Sequence, residues 1–187
     1  MSTKDFLLLL LLSSLWGGSF LFMRIAAPVL GPFLLIELRV GIAALALFIY
    51  AAFIRGVPDL RGNWKHFLVI GTINSAIPFV LIATSTLYVP AGLAATINAM
   101  TPLFSALISV WWLKEPLSWR KVLGLCLGFM GVAVLVGLGP VPLNIDLLIA
   151  CTLSILAAIS YGFGAVYTRT KAKGIPSLAL AMYSQMF

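Results

Sequence analysis

The sequence predicts an all-α integral membrane protein, a multi-span helical bundle. Three observations predict it. Of 187 residues, 62% are hydrophobic and 9% are charged, against about half and a quarter in ordinary soluble domains. Apolar runs long enough to cross a bilayer, about 20 residues each, recur along the whole chain. Ten of the twelve Lys and Arg residues fall in alternate connections between those runs.

Six spans follow in order: 6–23, 33–54, 67–89, 91–113, 122–138 and 147–167. The final stretch, "SLALAMYSQMF", reads as a seventh cut short. The connections are too short for a soluble domain. The runs also lack the apolar–polar alternation of a closed barrel. Lys4 and the leucines behind it imitate a signal peptide. No small-x-small cleavage site follows closely, and Trp16 is a poor neighbour for one, so the first helix is expected to be retained.

Lys4 precedes span one. Arg55, Arg61 and Lys65 lie between spans two and three. Lys114, Arg120 and Lys121 lie between four and five, and Arg169, Lys171 and Lys173 follow six. The intervening connections carry none. This positive-inside pattern predicts a cytoplasmic N-terminus, with span one running outward. It also accounts for the net charge of +7 without nucleic acid as a partner. Membrane lipid and a small-molecule substrate are the partners expected.

Catalytic groups are sparse. Cys126 and Cys151 fall inside spans and read as small packing residues. His66, the single histidine, lies in a basic connection. No zinc spacing, HExxH, GxSxG or Walker pattern occurs. The expectation is a protein that is not an enzyme and holds no cofactor or metal.

Spans three and four share a pattern. "INSAIP" at 73–78 and "INAMTP" at 97–102 are both Ile-Asn-x-x-x-Pro. Pro78 cannot bond the carbonyl of Asn74, nor Pro102 that of Asn98. Each asparagine adds a carboxamide with donors and an acceptor. The tight turn "YVPAG" makes the two spans antiparallel neighbours and sets both breaks at similar depth. In lipid such groups must face protein or water. Two readings stay open. The asparagines and prolines are glue at a kinked helix–helix seam, or they line a midplane cavity. Asn98, Thr101, Ser105 and Ser109, at spacings 0, 3, 7 and 11, would put a polar stripe on one face of span four.

Charges inside spans are the other clue. Glu37 and Arg39 sit in the outer third of span two. Two residues apart on a helix, they face different ways. Arg24 and Glu37 lie equally far from the turn "PVLGP", so a helical hairpin would pair them. Arg39 has no local partner. It either snorkels to the interface or lines a pathway. Gly124, Gly128 and Gly131 in span five, and Ser154, Ala158 and Gly162 in span six, predict close helix packing. "WGGSFLFMR" at 16–24 overlays "YGFGAVYTR" at 161–169, pairing Gly17 with Gly162 and Arg24 with Arg169. Spans one and six run in opposite directions, as in an inverted repeat.

The chain resembles the EamA family of the drug/metabolite transporter superfamily. The resemblance rests on "LWGGSF", Arg39, Pro102, "LKEPLS" and the glycine-rich fifth span. Lys114 stands where that family usually has glycine. The resemblance implies ten helices in two inverted five-helix repeats enclosing a cavity. Residues 1–140 would be the first repeat and 141–187 the truncated start of the second. It implies transport of small metabolites such as amino acids, as an exporter working by alternating access in the bacterial inner membrane. Trp16, Arg39, Asn74, Pro78, Asn98, Thr101, Pro102 and Ser105 are the expected pathway residues, with Arg24–Glu37 a structural ion pair. The missing half, or a second copy in a homodimer, would complete the cavity. The alternative is a non-transporting membrane subunit or an inactive transporter fragment.

Overall fold

The computed structural model describes residues 2–54, 62–116, 118–137, 142 and 144–186, with positions 136 and 137 by backbone alone. Arg55, Arg61 and Leu138, the end expected for span five, lie outside the described residues. Among the described residues the chain is helical and has no strand. Five helices are long and apolar enough to cross a membrane: α1 (Thr3–Leu30), α2 (Pro32–Phe53), α3 (Trp64–Tyr88), α4 (Ala91–Leu113) and α6 (Ile145–Lys171). α5 (Trp119–Gly137) occupies the place of the expected fifth span, and α7 (Ser177–Tyr183) starts the seventh.

Local chemistry sets the helix ends. Ser2 and Asp5 form a capping box at the start of α1, the Asp5 N–H donating to Ser2 Oγ at 3.2 Å. Gly31 ends α1 at φ 76°, ψ 152°, a conformation open to glycine because it lacks a Cβ. Pro32 then opens α2 at its first turn, where a missing N–H costs nothing. Asn144 caps α6 by accepting from the Leu147 N–H at 3.0 Å. Arg169 and Lys171 sit in the last turn of α6, where the helix dipole favours cations.

α3 and α4 are each interrupted at the paired motif. In α3 the stretch Thr72–Ala76 is a π-helical turn that runs into Pro78. In α4 a turn at Ala99–Met100 separates Ala91–Asn98 from Thr101–Leu113. The carbonyl of Asn98 was expected to be left loose by Pro102. Instead the Thr101 hydroxyl donates to it at 2.7 Å. The Ser160 hydroxyl of α6 donates to the Ile73 carbonyl, also at 2.7 Å. Side-chain hydroxyls thus supply bonds around both breaks.

α6 runs through the centre, packed on both α3 and α4. Its inward side is small: Ala150, Ser154, Ala157, Ala158, Gly162 and Gly164 are all buried. Ser85 of α3 lies 2.8 Å from Ser154, oxygen to oxygen, and donates to the Ala150 carbonyl at 3.1 Å. α7 docks on α2 and α3 through Ala51, Phe67, Ala179, Met182 and Tyr183. The leucines of 7–12 point away from the bundle, toward lipid or further helices.

Two packing expectations need correction. Only Gly128 of the three α5 glycines meets a neighbour, the Leu103 side chain; Gly124 and Gly131 face open space. Cys126 is likewise exposed, although Cys151 packs against the main core. α5 touches the bundle along a narrow stripe, so most of its small residues are not at a contact.

Lys114 ends α4 in the left-handed conformation, φ 53° and ψ 30°. Its departure from glycine therefore bears on backbone strain, because a Cβ makes this region costly by about 1–2 kcal/mol. Lys114→Gly is expected to raise thermal stability in detergent by about 1 kcal/mol. A lowered melting temperature would contradict this reading of the turn.

Candidate functional site

A hollow of about 820 Å³ opens where α1, α3, α4, α6 and α7 meet. Both interruptions border it. Asn74 reaches it from the π turn of α3, and Asn98, Thr101 and Pro102 reach it from the break in α4. Trp16 contributes from α1. α6 adds Tyr161, Ala165 and Thr168, at spacings 0, 4 and 7 on one face of that helix.

The lining is mostly apolar, and its few polar atoms are unevenly satisfied. Gln185 Nε2 donates to Ser75 Oγ at 3.4 Å. Asn98 Oδ1 and Thr168 Oγ1 are buried without a hydrogen-bond partner. Leaving such an oxygen unmet costs about 1–3 kcal/mol. Each is an acceptor for a water or solute donor, and the threonine hydroxyl also donates.

Asn74 owes its position to α6. A Cβ added at Gly164 would overlap the Asn74 carboxamide. Glycine at 164 is what lets that side chain lie against the helix. Gly162 does the same for α4, since a Cβ there would stand 3.0 Å from the Ser105 backbone nitrogen.

One end of the hollow is closed by aromatic rings. Trp16 and Tyr161 have centroids 6.4 Å apart, and Phe79 and Tyr161 6.3 Å apart. These three rings and Phe20 border a second, much smaller gap on their far side, and Arg39 lines that gap. The Arg39 guanidinium carbon lies 4.4 Å from the Phe79 ring centre, and Nη1 is 3.7 Å from the Met23 sulfur. The side chain is half-buried and turned into the bundle, so it does not snorkel. Its cation–π contact is worth up to about 2 kcal/mol where water is excluded.

Other expected residues are placed elsewhere. Pro78 is buried but does not border the hollow. Ser105 and Ser109 leave the polar stripe. Neither borders the hollow: the backbone of Ser105 lies against Gly162 of α6, and Ser109 is buried. The Arg24–Glu37 pair does not form: among the described residues the one ion pair is Arg169–Glu115, at 2.6 Å. Arg24 Nη1 donates instead to the Thr86 carbonyl. That carbonyl belongs to the last turn of α3, where unpaired acceptors and the helix dipole attract a cation. Glu37 lines a separate hollow that shares Ser75, Ser184 and Gln185 with the main one. His66 is not simply a surface residue, because its Nδ1 lies 2.9 Å from the Tyr167 hydroxyl.

Thr168, Phe79 and Gln185 were not singled out from the sequence. Thr168 had a usable signal, the 161–165–168 spacing in span six. Gln185 lies in a short terminal stretch with no period to read.

Residues 4–137 match the model of the EamA-like transporter family. The chain is 31% identical over 178 residues to an uncharacterized transporter of Bacillus subtilis (strain 168), YvbV, covering 94% of this chain and 57% of that protein. It is 27% identical over 154 residues to Protein PecM of Dickeya dadantii (strain 3937), covering 82% and 49%. An uncharacterized transporter of Archaeoglobus fulgidus is 26% identical over 135 residues, covering 71% and 47%. The chain thus spans about half the length of the curated relatives it matches. No solved structure matches it.

The placement of Arg24 and Glu37 has a measurable consequence. Arg24→Gln is expected to lower stability in detergent by about 1.5–3 kcal/mol, the range for a hydrogen bond from a charged group. Glu37→Gln is expected to change it by less than about 0.5 kcal/mol. The double variant should match the Arg24 single. A double variant more stable than that single would restore the ion pair.

Proposed function

Because the chain belongs to the EamA-like transporter family, we propose that it forms the first repeat and the start of the second in a transporter of small metabolites. The mechanism is alternating access, with the two repeats rocking about a midplane site. The observation that carries this reading is the hollow at the two interrupted helices, with the Asn98 and Thr168 oxygens buried and unmet on its wall. A packing seam would bring partners to those oxygens. A substrate site leaves them for the solute.

Two further features support the reading. Trp16 and Tyr161, matched when 16–24 is laid over 161–169, meet in space, as residues close to a pseudo-two-fold axis do. The break in α4 ends one helical segment and starts another at the hollow's edge, the arrangement transporters use to offer helix ends to a solute. The basic ends of the helices are taken as cytoplasmic, in the plasma membrane. Transport is taken as export of amino acids or compounds like them. The remaining wall is supplied by the second repeat or by a second copy of the chain.

Transport and abundance measured together in the full-length product of this gene test the proposal. Asn98→Ala is expected to leave abundance nearly intact and to change uptake or efflux per molecule at least several-fold. Asn74→Ala and Thr168→Val should do the same. Wild-type activity per molecule in all three would return these residues to a structural role and remove the site assignment.

A further inference from the structure

Arg39 is turned into the bundle, and its partners are neutral and not hydrogen-bonding oxygens: an aromatic face and a thioether sulfur. Among the described residues it has no carboxylate within ion-pair distance. Glu37 on the same helix faces the other hollow. Charged side chains inside a membrane are costly, and those that persist are paired or sit on a pathway. Neither the ring nor the sulfur of this environment is an anion. The guanidinium keeps free donors, in a planar fork that fits a carboxylate with two parallel hydrogen bonds.

What lies between Arg39 and the polar hollow gives the rest of the ligand. Trp16, Phe79 and Tyr161 wall both the hollow and the gap that holds Arg39. The gap at Arg39 holds only about 20 Å³, so a solute reaching the guanidinium from the hollow must part these rings. They offer an apolar, π-rich surface, the ring centroids 6.3 and 6.4 Å apart, and no charge of either sign.

We propose that Arg39 is the anchoring charge for the transported solute, and that the solute is an amphipathic carboxylate whose apolar body packs on Trp16, Phe79 and Tyr161. The assignment rests on the transport reading above and narrows its substrate class. A cationic solute is disfavoured by the same geometry, since like charges would face each other across one layer of rings. A neutral solute of equal shape would lose the charge-assisted bond and keep only the stacking.

The test compares two probes of matched shape, 3-phenylpropanoate and 3-phenylpropanamide, on the purified full-length protein by isothermal titration. Wild type is expected to favour the carboxylate by about tenfold or more, the range for one charge-assisted hydrogen bond. Arg39→Gln should abolish that preference and leave amide binding within about twofold, while Arg39→Lys should retain part of it, a point charge replacing the fork. Thermal melts of each variant separate loss of fold from loss of preference. Equal affinity for the two probes in wild type overturns the assignment, and so does binding of neither. A preference that survives Arg39→Gln also overturns it, as does a variant that loses fold while Arg39→Lys shows no preference. Each of these leaves the hollow to be judged separately, by transport per molecule in the asparagine variants.

Discussion

The close approach of α6 to α3 and α4 is the constraint on which the other features depend. In lipid there is no hydrophobic drive between helices, so contact rests on dispersion, interhelical hydrogen bonds and small residues that admit the backbone. α6 supplies all three. Ala150, Ser154, Ala157 and Ala158 let α3 close in, and the Ser85–Ser154 contact joins the two helices at 2.8 Å. Further along, Gly164 makes room for the Asn74 carboxamide and Gly162 for the α4 backbone at Phe104–Ser105. The neighbouring Ser160 satisfies the Ile73 carbonyl inside the π turn. Both interrupted helices are therefore braced by one central helix. Beyond the seam the same face, now carrying Tyr161, Ala165 and Thr168, is left to border the hollow.

The polar groups of the bundle divide into two populations. Most are met, at the seams and on the wall of the hollow alike: Ser85, Ser154, Ser160, Thr101 and the carbonyls of Ile73, Thr86 and Asn98 all have partners. Among the described residues, the buried side-chain oxygens without partners, Asn98 Oδ1 and Thr168 Oγ1, border the same space. A bundle able to satisfy so many hydroxyls by back-bonding has chemistry enough to satisfy two more. Their concentration at one hollow distinguishes a site from loose packing.

Much of this was legible in the sequence, for definable reasons. Membrane spans are long and uniform, so hydropathy alone set α1 to α4 and α6. The breaks were legible because proline chemistry is local, and two copies of one pattern at one depth are hard to produce by chance. Local reasoning failed where a neighbouring helix or a distant acceptor decides. Ser105 was placed on the stripe by spacing alone, whereas α6 closes on its backbone at Gly162. Arg24 was paired with Glu37 by symmetry about a turn, whereas its acceptor is a carbonyl 62 residues along the chain. Lys114 was legible as a departure from the family's usual glycine at a turn, but only its positive φ explains why glycine is usual there.

The central claim is that one face of α6 changes character along its length, a closed seam at Ala150–Ala158 and an open wall at Tyr161–Thr168. Thiol reactivity tests it most directly. In a background lacking Cys126 and Cys151, single cysteines at 168 and 154 would be exposed to a small hydrophilic thiosulfonate on the purified protein. Thr168 borders the hollow and Ser154 is buried in the seam. The account predicts rapid modification at 168 and protection at 154. Equal rates at the two positions, or protection at 168, would contradict it.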